Sequence, residues 1–314
     1  MLVIDTAQTR AAMPFAALND AIRTMFIEGC EVPLRHTHAI DTDTDPATLL
    51  LMPAWQKGGR LGIKTVNIFA ANATVGLPGL HSTYLLYDAR TGVPLAQLDG
   101  NEITSRRTAA ASALAATMLA RSDARRLLVV GAGRVASLLP EAYGSVREIT
   151  HIDVWDINTD LARDMVDRLK AQGKNAHLVD SLETAARAAD IITCATLSTR
   201  PLILGAWLTP GVHLDLIGGF TPAMRESDDD CFHQTSVFMD TDEAFAKAGD
   251  LLSPAKAGII TRQSILGTLE DLCRQNHPGR QSPEEITVYK AVGTALEDLA
   301  AASLIYDHIV ASRT

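Results

Sequence analysis

Residues 16–28 place Leu18, Ile22, Met25 and Phe26 three to four positions apart, which predicts a helix with one apolar face. Short apolar runs follow at 36–40, 48–52, 60–69, 82–88 and 94–98, with a turn at 89–92. Brief strands joined by brief turns predict an antiparallel sheet. The acidic cluster 41–46 reads as a solvated turn between two of them. Thr104 opens a predicted helix that continues to about residue 120. Its Ala-rich part, 109–119, is too short to span a bilayer and is closed by Arg121, so it reads as a buried helix.

The rhythm then changes. Strand-like runs at 126–130, 149–155, 175–179, 190–195, 212–217 and 237–240 are mostly apolar, and helical patterns at 160–172 and 182–188 alternate with the earlier ones. That alternation predicts an α/β fold with a doubly wound parallel sheet. The stretch 283–312 reads as one long helix that packs back on the first domain and makes it discontinuous. The expected division is 1–118 plus 296–314 for an α+β domain, and 119–295 for the parallel-sheet domain.

Composition adds limits. A chain of 314 residues that is 47% hydrophobic can bury two cores. The net charge of −9 argues against nucleic acid or an anionic membrane as the main partner. Four scattered cysteines, with no C-x-x-C pair, point away from a disulfide framework or zinc site and toward a reducing cytoplasm. The first residues show neither a basic region nor an apolar signal core. His36 and His38 would share one face of a strand and His81 is near Gly79. No third ligand has recognisable spacing, so no metal is expected.

The chemistry concentrates in two places. Gly131-Ala132-Gly133-Arg134-Val135-Ala136 fits G-x-G-x-x-G/A, follows a buried strand and precedes a helix. That context predicts a dinucleotide site, with the glycines admitting the pyrophosphate and the helix start lending positive charge. Pro140 should kink or shorten that helix. Asp156 ends the next strand, where its carboxylate can accept from a ribose 2′-hydroxyl; Asn158 is the better cap for the following helix. NADH is therefore expected to be preferred, with NADPH possible because Arg134 could reach a 2′-phosphate. Thr196 and Ser198 follow another strand at the carboxyl edge of the sheet, where either could contact ribose or nicotinamide or form an ordinary polar turn. In the first domain, Arg35, Lys64 and Arg107 could converge on a substrate carboxylate or be solvated surface charges; spacing alone cannot join them. Arg107 falls in the first turns of the predicted helix, where a cation is unfavourable, so something negative is expected to compensate it.

Gly62-Ile63-Lys64, Leu98-Asp99-Gly100, Arg107-Thr108-Ala109-Ala110, Gly131-Ala132-Gly133, Tyr289-Lys290-Ala291-Val292-Gly293 and Glu297-Asp298-Leu299-Ala300 occur in one order. In this the chain resembles the ornithine cyclodeaminase/μ-crystallin family over nearly its whole length. The resemblance implies a Rossmann-type domain, a discontinuous substrate domain that dimerises through its sheet, and substrate binding or polarisation by Arg35, Lys64 and Arg107, with Thr108 beside them. Cyclodeaminases carry an acid after the glycine pair; here Gly218-Gly219 precede Phe220. The stretch through Thr221, Pro222, Met224, Arg225 and Glu226 resembles the branch that reduces cyclic imines. The implied activity is NAD(P)H-dependent reduction of Δ1-pyrroline-2-carboxylate or Δ1-piperideine-2-carboxylate by a homodimer, with Lys64 and Arg107 as catalytic residues. Ornithine cyclisation, amino-acid dehydrogenation and non-enzymatic binding of a small ligand are the alternatives. Asp215, two residues short of the glycines, reads as structural or cofactor-adjacent, with substitution for the missing acid as the lesser alternative.

Overall fold

The structure is a computed structural model that describes residues 1–42 and 46–313. The middle of the expected acidic turn, residues 43–45, lies outside the described residues. The chain forms two compact units, one of residues 1–107 with 294–314 and one of residues 108–293.

The first unit contains a six-stranded sheet: β1 (Leu2–Ile4), β2 (His36–Ile40), β3 (Ala47–Trp55), β4 (Arg60–Ile68), β5 (Leu80–Asp88) and β6 (Pro94–Asp99). The order is β1-β6-β5-β4-β3-β2, antiparallel except for β1, which runs parallel to β6. Helices Phe15–Glu28 and Ala295–Ala311 pack together, and the second crosses β3, β4 and β5. The first buries Leu18, Ile22, Met25 and Phe26, each contributing roughly 1.5–3 kcal/mol by leaving water. On the covered sheet face, Met52, Lys64 and Tyr84 are directly opposed across three strands.

The second unit contains eight parallel strands: β7 (Arg126–Val130), β8 (His151–Trp155), β9 (Ala176–Leu178), β10 (Ile191–Cys194), β11 (His213–Leu216), β12 (Ser236–Met239), β13 (Ile265–Thr268) and β14 (Thr287–Lys290). Their order, β13-β12-β14-β11-β10-β7-β8-β9, reverses direction between β7 and β10. This is the doubly wound arrangement, and its strands are apolar along their length because helices shield both faces. The fold class is therefore as the alternation predicts.

Three local expectations change. The helix expected from Thr104 starts at Gly100, because Asp99 Oδ1 accepts from the N–H groups of Asn101 and Glu102 and caps it earlier. Arg107 thus sits two turns in rather than at the start. The unit boundary also falls inside this helix, ahead of the expected 118/119: Ser112 already bonds Asp215 of the parallel-sheet unit. The expected helix over 283–312 is instead β14, a turn, and a helix beginning at Ala295. Asp240 Oδ2 accepts from the N–H groups of Val292 and Gly293, and Thr294 caps the new helix. As Pro140 predicts, the helix after the glycine turn is shortened, to a 3-10 turn, Ala136–Leu138, and a six-residue helix, Leu139–Gly144, with Pro140 in its first turn. Proline lacks the N–H that would continue a helix begun at Ala136. Among the described residues no helix is long and apolar enough to cross a membrane.

Candidate active site

The first unit builds a buried charge cluster. Lys64, only 2% exposed on β4, places Nζ 2.6 Å from Asp298 Oδ2. Arg107 donates from Nε to Asp298 Oδ1 at 2.9 Å and from Nη1 to Glu297 Oε2 at 2.7 Å. Glu297 and Asp298 lie in the first turn of helix Ala295–Ala311, where that helix crosses the sheet. The negative charge that compensates Arg107 is thus a pair of acids from the same chain. Burial pulls the Lys64 ammonium down to about 8; Asp298 opposes the shift, while Arg107 and Arg35 add to it. Burial works against the charge of Arg107 too, but Asp298 and Glu297 outweigh it and hold the guanidinium above its ordinary value. The two cations likewise keep the buried Asp298 carboxyl below the usual carboxylate range despite its desolvation. Arg35 is half-buried just before β2 and contributes to the field at Lys64. Thr108 is half-buried and is the first residue of the other unit. His36 and His38 are exposed on the edge strand β2.

The second unit builds the glycine turn. Gly131 has φ +112°, and a Cβ there would lie 2.8 Å from the Ala195 carbonyl oxygen. A side chain is excluded by both conformation and space. Around Gly133 nothing lies within 4 Å of an added Cβ, which leaves open room beside the backbone. Such a cradle suits a dinucleotide pyrophosphate. Arg134 is exposed, Val135 half-buried and Ala136 buried. Asp156 latches the turn: Oδ2 accepts from Ala132 N–H at 2.7 Å and Oδ1 from Asn158 N–H at 2.7 Å. Asn158 does cap the following helix, but the Asp156 carboxylate is not left bare. Each of its oxygens keeps a second lone pair for a ribose hydroxyl. Thr196 reaches the glycine turn through its methyl, 3.3 Å from an added Gly131 Cβ. The Ser198 hydroxyl donates to the Arg200 carbonyl and closes its own turn.

Asp215 is structural. Fully buried, it accepts from Ser112, Tyr143 and Thr193, and burial lifts its carboxyl to about 6 against those three donors. Sequence reasoning assigned no role to Glu297, Asp298, Glu226, Asp250 or Lys290, all of which the structure buries.

The family model described as ornithine cyclodeaminase/mu-crystallin matches residues 16–313. A Δ1-pyrroline-2-carboxylate reductase of Paracoccus denitrificans is 38% identical over 309 residues, covering 95% of this chain and 98% of that one. The structure of Thermococcus litoralis Δ1-pyrroline-2-carboxylate reductase in complex with NADH and L-proline superposes with a TM-score of 0.93 at 30% identity, covering 100% of this chain and 99% of the other. An archaeal alanine dehydrogenase dimer with bound NAD gives 0.91 at 25% identity, covering 100% and 97%.

Proposed function

The chain belongs to the ornithine cyclodeaminase/mu-crystallin family, and on that premise we propose that it reduces a cyclic imine carboxylate, Δ1-pyrroline-2-carboxylate or its six-membered homologue, with NAD(P)H. The observation that carries the reading is the Lys64–Arg107 cluster. Its two cations and two carboxylates hold one another in place, which sets the Arg107 guanidinium and the Lys64 ammonium for a substrate that carries both a carboxylate and an imine nitrogen. The Nε and Nη1 atoms of Arg107 are engaged, so its Nη2 edge is the one that takes the substrate carboxylate, with Arg35 adding positive field and Thr108 beside it. Lys64 supplies the proton to the imine nitrogen. When bound, the nicotinamide supplies the hydride that reduces the imine carbon. Gly131, Gly133, Arg134, Val135 and Ala136 seat the pyrophosphate, Asp156 takes the ribose, and Thr196 and Ser198 border the nicotinamide end. Phe220, 42% exposed after the glycine pair, offers no charge for the amino group that a cyclodeaminase must hold.

The test is NADH oxidation with pyrroline-2-carboxylate, piperideine-2-carboxylate, or pyruvate plus ammonia. Oxidation with a cyclic imine supports the proposal. Oxidation only with pyruvate and ammonia, or ammonia release from ornithine without net NADH loss, overturns it.

NADH is the preferred form of the cofactor. Asp156 would repel a 2′-phosphate, and Ile157, Asn158 and Thr159 bring no cation to offset it. Arg134 softens the discrimination. The expected kcat/KM ratio is ~10-fold in favour of NADH, as for a difference of about 1.4 kcal/mol. Equal or inverted values with one imine substrate would remove Asp156 from ribose reading.

The enzyme works as a homodimer through the sheet of the first unit. Away from helix Ala295–Ala311, the sheet carries rows of half-buried side chains: Trp55, Leu61 and Tyr87, then Pro53, Ile63 and Leu85. An apolar face of this kind calls for a partner. Light scattering at micromolar concentration should give twice the chain mass of 33.7 kDa; a single-chain mass refutes the dimer. The scattered cysteines, of which Cys194, Cys231 and Cys273 are buried, support a cytoplasmic setting.

A further inference from the structure

We infer that Glu226 is a positioning residue for the dinucleotide, holding the turns after β10 and β11 against the glycine turn after β7. The inference rests on the nicotinamide-dependent reading above and deepens it. The sheet order reverses between β7 and β10, so a crevice opens at their carboxyl ends, where open α/β sheets bind their ligands. Gly131 packs so closely on Ala195 and Thr196 that the turn after β10 forms one wall of the glycine turn's seat.

That wall is fixed by one carboxylate. Glu226 Oε1 accepts from the Thr196 N–H at 2.6 Å and from the Thr196 hydroxyl at 2.8 Å. Oε2 accepts from the Gly218 N–H at 2.6 Å. The two turns touch: a Cβ on Gly218 would lie 1.9 Å from the Thr196 carbonyl oxygen. Three donors from two strand ends therefore converge on a fully buried acid. Behind it, Asp250 Oδ1 accepts from the N–H groups of Glu226 and Ser227, and Asp250 Oδ2 lies 3.1 Å from Lys290 Nζ at the end of β14. An acid placed only to fill the core would not need two separate loops aimed at it. Here the bonds run directly to the segment that seats the glycine turn.

The charges facing Glu226 are Lys290 from β14 and Asp250 from helix Gly249–Lys256; the buried thiol of Cys194 on β10 also faces it. Burial pushes its carboxyl up to about 7, with Lys290 opposing and Asp250 adding. The ionised form accepts all three bonds. The protonated form must turn an O–H toward a donor, so acidification loosens the Thr196 turn.

The experiment is NADH binding by fluorescence titration on either side of pH 7, with thermal stability measured in parallel, for wild type, Glu226→Gln and Thr196→Val. Glutamine replaces one accepting oxygen by a donor; valine removes the hydroxyl and keeps the shape. Glu226→Gln should raise the NADH Kd ~10-fold, the loss expected for one charge-assisted bond. Wild-type affinity should weaken as pH falls through about 7, the midpoint set by Glu226, and that dependence should be absent in the variant. Thr196→Val should shift Kd in the same direction by less. Wild-type Kd and pH dependence in folded Glu226→Gln overturn the inference; if that variant does not fold, an unchanged Kd in Thr196→Val does so. Wild-type protein that binds NADH yet reduces no cyclic imine overturns the proposed reaction and leaves this inference standing. Protein that binds no nicotinamide dinucleotide overturns both.

Discussion

Truncation of Arg107 to alanine is expected to lower kcat/KM by ~100-fold or more, as for loss of a buried charge-assisted bond worth roughly 2–5 kcal/mol. It is also expected to lower stability, because the buried Glu297 and Asp298 would lose the guanidinium that pairs with both. Breaking one side of a buried pair typically costs about 3–5 kcal/mol. The two effects can be separated. The double variant Arg107→Ala/Glu297→Gln removes one of the two carboxylates that Arg107 pairs with, so it should regain part of the lost melting temperature and none of the lost kcat/KM. NADH affinity should stay near wild type in both, since the glycine turn belongs to the other unit. A folded Arg107→Ala enzyme with wild-type turnover would remove Arg107 from the substrate site. Recovery of activity with stability in the double variant would make its role purely structural.

The parts of this molecule that sequence pattern exposes are those governed by local rules. The glycine turn is legible because conformation and close approach both demand glycine, and the flanking strand is apolar on two faces. The acidic counterpart of the cation pair is not legible. Glu297 and Asp298 stand in the first turn of a helix, where acids are ordinary complements of the helix dipole. Only the crossing of that helix over β4 brings Lys64 beneath it. Glu226 is hidden for a different reason: its partners are backbone N–H groups of turns distant in sequence, and backbone donors leave no mark on residue type. Strand β14 is hidden because it runs straight into the helical pattern of 295–311 and reads as the start of that helix. Thr287–Lys290 is four residues long, and only its place between β11 and β12 makes a strand of it. The position of Arg107 shows the converse, where one residue, Asp99, moves a helix start away from its expected place, whereas the shortening at Pro140 is legible because the proline carries it.

Lys64 is expected to control the pH dependence of turnover. Its ammonium is held at about 8 by burial, so it carries its proton below that value and loses it above. If the charged form both balances Asp298 and protonates the imine nitrogen, kcat/KM must fall as pH rises through about 8, with the decline set by this group. Replacing Lys64 by methionine keeps most of the buried stem and removes the proton. The expected loss in kcat is ~100-fold or more, the usual range for a positioned proton donor, and the limb near pH 8 should vanish with it. Lys64→Arg divides binding from proton transfer. A guanidinium preserves the charge beside Asp298 but cannot give up its proton in this range. That variant should keep KM closer to wild type than Lys64→Met does, while its kcat stays low and its profile lacks the limb. A pH limb that persists unchanged in Lys64→Met would assign the proton to another group. Full kcat in Lys64→Arg would show that Lys64 contributes charge alone.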